Sequence, residues 1–191
     1  INIMKTKEIT QNPILDLRKR YDGRVRWGMF MEFAIPDKAE REQFKHYIRN
    51  AIYGIRNKKA LILYGPGANG KSTITRVLSE IIDNSCFMLN ISSTMHGESF
   101  VFLEGVTKGD IPYIKLMLDN AGIFSVPQRS SLFSAPSMEW PDIVMVVNEM
   151  PTEGLLRRSI LINMPNTPIV ANPSMAEELL EGRCGILDWF L

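Results

Sequence analysis

The sequence predicts an α/β fold, in which a parallel sheet is flanked by helices and carries a phosphate-binding loop after its first strand. Three observations support this prediction. The apolar run Ala60–Tyr64 leads directly into a glycine-rich loop, the residues after the loop are apolar at helical spacing, and further short apolar runs alternate with helical patterns. Such alternation is typical of parallel sheets whose crossover connections are helices.

The chain before this strand is predicted to be helical. Pro36 and Asp37 mark a helix start, and the residues that follow are apolar at helical spacing up to Gly54, where a basic segment ends the element. We therefore expect a small N-terminal helical collar over residues 1–58, ahead of an ATPase core over residues 59–163.

The loop after the first strand carries the complete pattern G-x-x-x-x-G-K-S/T. Its glycines let the backbone curl so that successive N–H groups point at a phosphate, and the helix that starts near Lys71 adds its positive end. We expect Lys71 to reach the β- and γ-phosphates of a nucleoside triphosphate, and the Ser72 hydroxyl to bind Mg²⁺. The alternative, a turn with a chance lysine, is disfavoured by the strand before the loop and the helix after it. The predicted ATP-binding residues are Gly65, Pro66, Gly67, Ala68, Asn69, Gly70, Lys71, Ser72 and Thr73.

The alternation continues beyond the phosphate loop. Strands are predicted at residues 100–103 and 143–147, with a helix over residues 112–120 between them. A segment rich in serine and proline, residues 121–141, is predicted to form a hairpin or loop that projects from the sheet. Residues 164–191 complete the chain as a proline-rich connector followed by a helical tail.

Polar residues follow the two strands after the phosphate loop. Glu104 ends the first of them, where a carboxylate is needed to orient the water that attacks the γ-phosphate. Asn148 ends the second, where its amide can contact the γ-phosphate or that water. Glu149 is a second candidate carboxylate, although a solvated loop residue is the favoured interpretation of it.

A basic pair, Arg157 and Arg158, lies between apolar residues further along the chain. A guanidinium inserted into the site of a neighbouring subunit is a usual stabiliser of phosphoryl-transfer charge. The alternative is a surface pair whose aliphatic stems pack on a strand. The residues alone leave both interpretations open.

Composition excludes several other classes of protein. The chain has 191 residues and a formal net charge of +1, so contact with nucleic acid would depend on a local basic patch. Cys86 and Cys184 are isolated, which argues against a zinc site or a disulfide framework. No apolar run approaches the ~20 residues of a membrane span, so no membrane association is expected. A reducing, intracellular location fits best.

Taken in order, these motifs resemble those of the superfamily 3 helicases, which are AAA+-type motors of viral and plasmid replication. The phosphate loop and the terminal segment, residues 185–191, look closest to the primase-helicases of phages and large DNA viruses, and the strand that ends in Glu104 also resembles parvovirus replication proteins. The resemblance covers roughly residues 44–191. It implies ATP and Mg²⁺ as cofactors, and a homo-oligomeric ring, hexameric in this family, on single-stranded DNA.

The resemblance also implies roles for individual residues. Lys71, Glu104, Asn148 and one of Arg157 and Arg158 would be catalytic, and Ser72 and Glu104 would hold Mg²⁺. The basic residues that match the third motif region of the family, and would contact DNA in the channel of the ring, are Lys108, Lys115 and Arg129.

The chain departs from the family pattern at the second motif, where Leu103 replaces the first of two acids that many relatives carry. These residues show no nuclease constellation and no primase module. Such a module is therefore expected elsewhere, on the same or another chain. The sequence therefore predicts an ATP-driven helicase of viral, phage or plasmid replication, acting at the site of replication. The alternatives are a nucleotide-gated scaffold that does not translocate and a small-molecule phosphate-loop kinase.

Overall fold

The computed structural model describes residues 13–83, 85–88, 100–107, 109–119 and 141–191. Its helices are α1 (Pro13–Ala34), α2 (Lys38–Ile52), α3 (Lys71–Ile81), α4 (Ile111–Asp119), α5 (Glu153–Leu156), α6 (Met175–Leu180) and α7 (Arg183–Phe190). Its strands are β1 (Ala60–Tyr64), β2 (Ser85–Met88), β3 (Phe100–Leu103), β4 (Asp142–Val147) and β5 (Ser159–Asn163).

The five strands form one parallel sheet in the order β2-β3-β4-β1-β5. The predicted α/β class is therefore confirmed, as are the strands at Ala60–Tyr64 and Phe100–Leu103. The strands β2 and β5 at the two edges of the sheet were not predicted. Because β1 lies between β4 and β5, the loop after β1 has a neighbouring strand end on each side.

The two faces of the sheet are covered by different helices, so the fold has three layers. Alternate residues of β1 point to opposite faces: Leu61 and Leu63 belong to a large hydrophobic cluster with α1, α2, α3, α6 and α7. Ala60 and Ile62 belong to a smaller cluster with Ile114 of α4 and Leu155 of α5. Both faces of the central strand are thus buried, which explains its uninterrupted apolar sequence.

The helix α1 packs against α7 through small residues and aromatic rings. An added Cβ at Gly23 would collide with the backbone of Gly182, and one at Gly185 would collide with the backbone of α1. The buried ring of Trp27 lies 6.4 Å from that of Trp189 and 6.1 Å from that of Phe190. The first helix and the last helix are therefore held in close backbone contact.

The helix α2 is anchored to the start of β4. It begins as predicted after Asp37, whose side chain accepts a hydrogen bond from the Glu40 N–H at 2.9 Å. The buried Tyr47 hydroxyl donates to the Ile143 carbonyl at 3.0 Å, and the Asn57 N–H donates to the Asp142 carboxylate at 2.9 Å. Burial raises the pKa of Asp142 to about 6, although the hydrogen bonds from Asn57 oppose this shift.

The predicted hairpin and two of the predicted DNA-binding residues cannot be placed in the structure. Of the hairpin, residues 121–141, only residue 141 is described, and Lys108 and Arg129 lie outside the described residues. Within the described part of the chain, no helix is long and apolar enough to cross a bilayer.

Candidate nucleotide site

A cavity of about 1250 Å³ lies at the edge of the sheet where the parallel strands end, and we call it the carboxyl-edge cavity. The phosphate loop, which follows β1, forms its centre. Seven of the nine predicted ATP-binding residues line it: Gly67, Ala68, Asn69, Gly70, Lys71, Ser72 and Thr73. Glu104, Lys115 and Asn148 line the same cavity. Gly65 and Pro66 contribute to the loop through their carbonyls.

The glycines of the loop are required by close contacts and by backbone conformation. Gly65 has φ 154°, and an added Cβ there would collide with the Met164 carbonyl and the Asn69 side chain. Gly70 has φ 92°, a left-handed conformation, and an added Cβ would lie 3.0 Å from the ring of Phe30. Because Gly70 is also the N-cap of α3, this conformation sets the direction in which the helix starts.

Lys71 is held by oxygen atoms of the phosphate loop itself. Its ammonium donates to the carbonyls of Gly65 and Pro66 at 2.8 and 2.6 Å, and to the Asn69 side chain at 2.9 Å. These three acceptors match the three hydrogens of the ammonium group. Burial lowers the pKa of Lys71, and the charge of Glu104 offsets part of this effect. An anion that enters the loop would take over some of these hydrogen bonds.

Asn69 links the phosphate loop to the residue that follows β5. It is 2% exposed, and its amide donates to the Met164 carbonyl at 2.5 Å while its oxygen accepts from Lys71. Buried amides are costly unless both ends are paired, and here both are. Asn69 therefore fixes the loop against the end of β5, a contact that the phosphate-loop pattern alone does not predict.

Glu104 directly follows β3 and is tied to the helix of the phosphate loop. The hydroxyl of the buried Thr75 donates to the Glu104 carboxylate at 2.8 Å. The Ser72 carbonyl, at 3.1 Å, is an alternative acceptor for the same hydrogen. Thr75 was not predicted, although its position four residues after Lys71 places both on one face of α3. Ser72 itself is exposed at the first turn of this helix.

Asn148 directly follows β4 and is exposed at the wall of the cavity, as is Glu149. Lys115, on α4, was predicted to contact DNA, and the structure places it at the cavity wall. An added Cβ at Gly154 would lie 2.8 Å from its ammonium nitrogen. The structure therefore brings Lys71, Glu104, Lys115 and Asn148 to one cavity, and the DNA-binding role of Lys115 stays a prediction.

The predicted arginines do not line the cavity of their own chain. Arg157 is largely exposed and pairs with Glu153 one turn earlier. Arg158 pairs with Asp119 through two of its nitrogens and donates to the Gly154 carbonyl at 2.7 Å. Its hydrogen bond holds the pKa of Asp119 below its ordinary value. Within the described parts of the chain, Arg158 is held in place by distant residues, and Arg157 pairs only within its own turn.

The cavity has a second, apolar end that the sequence did not reveal. Phe30 and Phe33 of α1 line it, and so do residues of the connector (residues 164–173) and the start of α6. The Asn166 side chain donates to the Phe33 carbonyl at 2.8 Å and so ties the connector to the end of α1. The apolar connector residues, and the first residue of α6, at this end are Pro168, Val170, Ala171 and Met175.

No known protein family matches the sequence, and no curated protein matches it either. Solved structures do match the fold. An apo structure of the NrS-1 C-terminal region covers 100% of the chain with a TM-score of 0.68 and 15% identity, and the chain covers 47% of it. The X-ray structure of JCV helicase covers 91% of the chain with a TM-score of 0.54 and 15% identity, and the chain covers 53% of it. The chain thus spans about half the length of these structures, and what it shares with them at such identities is the fold.

Proposed function

We propose that the chain is an ATPase of the superfamily 3 helicase type, which forms a ring on single-stranded DNA and moves along it during viral, phage or plasmid genome replication. The observation that carries the proposal is that Lys71, Ser72, Glu104 and Asn148 line one cavity. They come from three different segments that meet where parallel strands end, the usual place for ligands in open α/β sheets. The fold shared with JCV helicase supports the proposal.

The phosphate loop fits a triphosphate with Mg²⁺. Its carbonyl oxygens are occupied by Lys71, which leaves the loop N–H groups and the start of α3 for an anion. The described residues contain no cluster of three or more metal-ligating side chains. Mg²⁺ keeps several waters and is bound by one or two protein groups and the phosphates. Ser72 would supply the hydroxyl and Glu104 a carboxylate, and the ion would neutralise charge that develops on the phosphates.

In this proposal Glu104 orients the attacking water and Asn148 detects the γ-phosphate. Both directly follow strands that are neighbours in the sheet, since Leu103 pairs with Met145. The hydrogen bond from Thr75 holds Glu104 against the helix of the phosphate loop. The Thr75 hydroxyl can donate to the Ser72 carbonyl instead, so Glu104 can leave this position without leaving a buried donor unpaired.

The site is proposed to be completed by a second subunit. The carboxyl-edge cavity, at about 1250 Å³, exceeds the roughly 300–1,000 Å³ of typical ligand pockets. Arg157 is exposed and, among the described residues, pairs with Glu153 one turn away, whereas Arg158 is held by Asp119. We therefore assign the role of the trans-acting arginine to Arg157. The ring would be hexameric, with the collar (residues 1–58) helping to assemble the core (residues 59–163).

Single-stranded DNA is the proposed partner, held in the ring by Lys108, Lys115 and Arg129. A few phosphate contacts per subunit, repeated around a ring, give binding that is strong, independent of sequence and sensitive to salt. A primase or nuclease module on the same or another chain would be a further partner. The proposed location is intracellular, at the site of genome replication.

The test is ATP hydrolysis by the assembled protein, with and without single-stranded DNA. Turnover that DNA stimulates, and that falls as salt rises, is the expected result. Turnover that DNA does not change would favour a small-molecule kinase or another ATPase that does not translocate. Nucleotide binding without turnover would favour a scaffold. Electron microscopy with a non-hydrolysable ATP analogue and an oligonucleotide would show whether rings form.

A further inference from the structure

The two ends of the carboxyl-edge cavity lie on opposite sides of the phosphate loop. The sheet order places β4 and β3 on one side of β1, and their ends carry Asn148 and Glu104. It places β5 on the other side, and the connector that follows β5 lines the apolar end. A triphosphate whose γ-phosphate faces Glu104 therefore extends its nucleoside towards the connector and α1.

The first wall of the apolar end is aromatic and fixed in place. The ring of Phe30 packs 5.7 Å from that of the buried Trp27, and it touches the position where Gly70 lacks a side chain. Phe33 lies about one turn further along α1, at the cavity wall, and is 43% exposed. An aromatic ring next to the phosphate loop is suitably placed to stack on a base.

The second wall is the connector, and one hydrogen bond sets its position relative to the first. The Asn166 amide donates to the carbonyl of Phe33 itself. The connector residues that line the cavity are apolar apart from Asn172. The Asn172 amide already donates to Glu178 at 3.1 Å, and its oxygen accepts from the Ser174 N–H at 3.0 Å. Among the described lining residues, this end thus offers apolar contact and one polar side chain that is already engaged.

From this arrangement we infer that the apolar end binds the nucleotide base by stacking and apolar contact, so that the chain takes ATP and GTP with similar affinity. The inference rests on the proposed function, because it assumes a triphosphate in the phosphate loop. Sites that hydrogen-bond a substrate reject analogues by about 10⁴-fold or more, whereas apolar pockets discriminate weakly. Stacking accepts any base, because every base has a π-face.

The experiment measures the affinity of the whole chain, with Mg²⁺, for ATP, GTP and inorganic tripolyphosphate. The unaltered chain should bind ATP and GTP within about tenfold of each other, and both more tightly than tripolyphosphate. Phe33→Ala should weaken both nucleotides by about tenfold, within the range measured for base stacking, and leave tripolyphosphate binding unchanged. Met29→Ala is the matched control, since Met29 is on the same helix, is 67% exposed and does not line the cavity. It should change none of the three affinities.

Each other outcome counts against the inference. A preference of more than about a hundredfold for one purine would reveal recognition by hydrogen bonds, and an unchanged nucleotide affinity in Phe33→Ala would place the base elsewhere. A loss of tripolyphosphate binding in Phe33→Ala would mean that the ring supports the loop and does not hold the base. If neither the nucleotides nor tripolyphosphate bind the unaltered chain, the phosphate site itself is refuted, and the base site with it.

Discussion

The hydrogen bond from Thr75 to Glu104 makes a sharp prediction about turnover. Thr75 is fully buried on α3, and its hydroxyl lies 2.8 Å from the carboxylate oxygen. Thr75→Val removes the hydroxyl and keeps nearly the same shape. Hydrogen bonds to charged groups contribute about 1.5–3 kcal/mol. If that energy orients Glu104 towards the attacking water, its loss should lower kcat about tenfold to a hundredfold.

The assay is steady-state ATP hydrolysis by the assembled protein. Because Thr75 touches no substrate, KM should change by less than about threefold while kcat falls, as expected when an interaction of the transition state alone is lost. Thr75→Ser keeps the donor and should retain most of the activity. Thermal unfolding of both variants controls for lost packing. An unchanged or increased kcat in Thr75→Val, or equal losses in the serine and valine variants, would refute the reasoning.

Three further predictions concern hydrolysis, subunit contacts and pH. Glu104→Gln should retain ATP affinity and lose turnover by about a hundredfold or more; much weaker ATP binding would show that Glu104 mainly holds the metal. The Arg157→Ala variant should have no turnover by itself and should regain part of it when mixed with Glu104→Gln, because some mixed interfaces then pair an intact Glu104 with an intact Arg157. Activity that stays absent at every mixing ratio contradicts a role in trans. Since the pKa of folded Asp142 is about 6 and unfolded aspartate has a pKa near about 4, protonation favours the folded state. As the pH falls from 7 to 5, this group should therefore raise the free energy of unfolding, measured with denaturant, by about 1 kcal/mol. Asp142→Asn should remove this gain, and equal pH dependence in the variant and the unaltered chain would count against the raised pKa.

The elements that the sequence predicts best are those whose signals are local. β1, the phosphate loop and α3 are adjacent in the chain, and each has its own pattern of apolar residues or glycines. Glu104 and Asn148 were found because polar residues that end buried strands of one parallel sheet must share an edge. The edge strand β5 was missed because its half-exposed residues follow a basic pair and form only a short apolar run.

The rest of the site depends on contacts between distant parts of the chain. Phe33 reaches the cavity only because α1 packs on α7, and the sequence of α1 carries apolar residues on several sides. Trp27 and Met31 are buried, while Tyr21 and Met29 are exposed, so its pattern does not indicate which side faces the nucleotide. Thr75 looks like an ordinary helical threonine until β3 places Glu104 beside it.

The backbone contact between α1 and α7 has a consequence for how a nucleotide leaves. With glycines at the crossing, the main chains of α1 and α7 lie too close together to accommodate even an added Cβ. Because such close packing resists displacement, we expect the wall that carries Phe33 to move little. The opposite wall is a connector in which Ile169 and Val170 are largely exposed, and a hydrogen bond from Asn166 ties it to α1. Opening of this connector, and not movement of α1, should set the rate at which spent nucleotide is released and the next one is admitted.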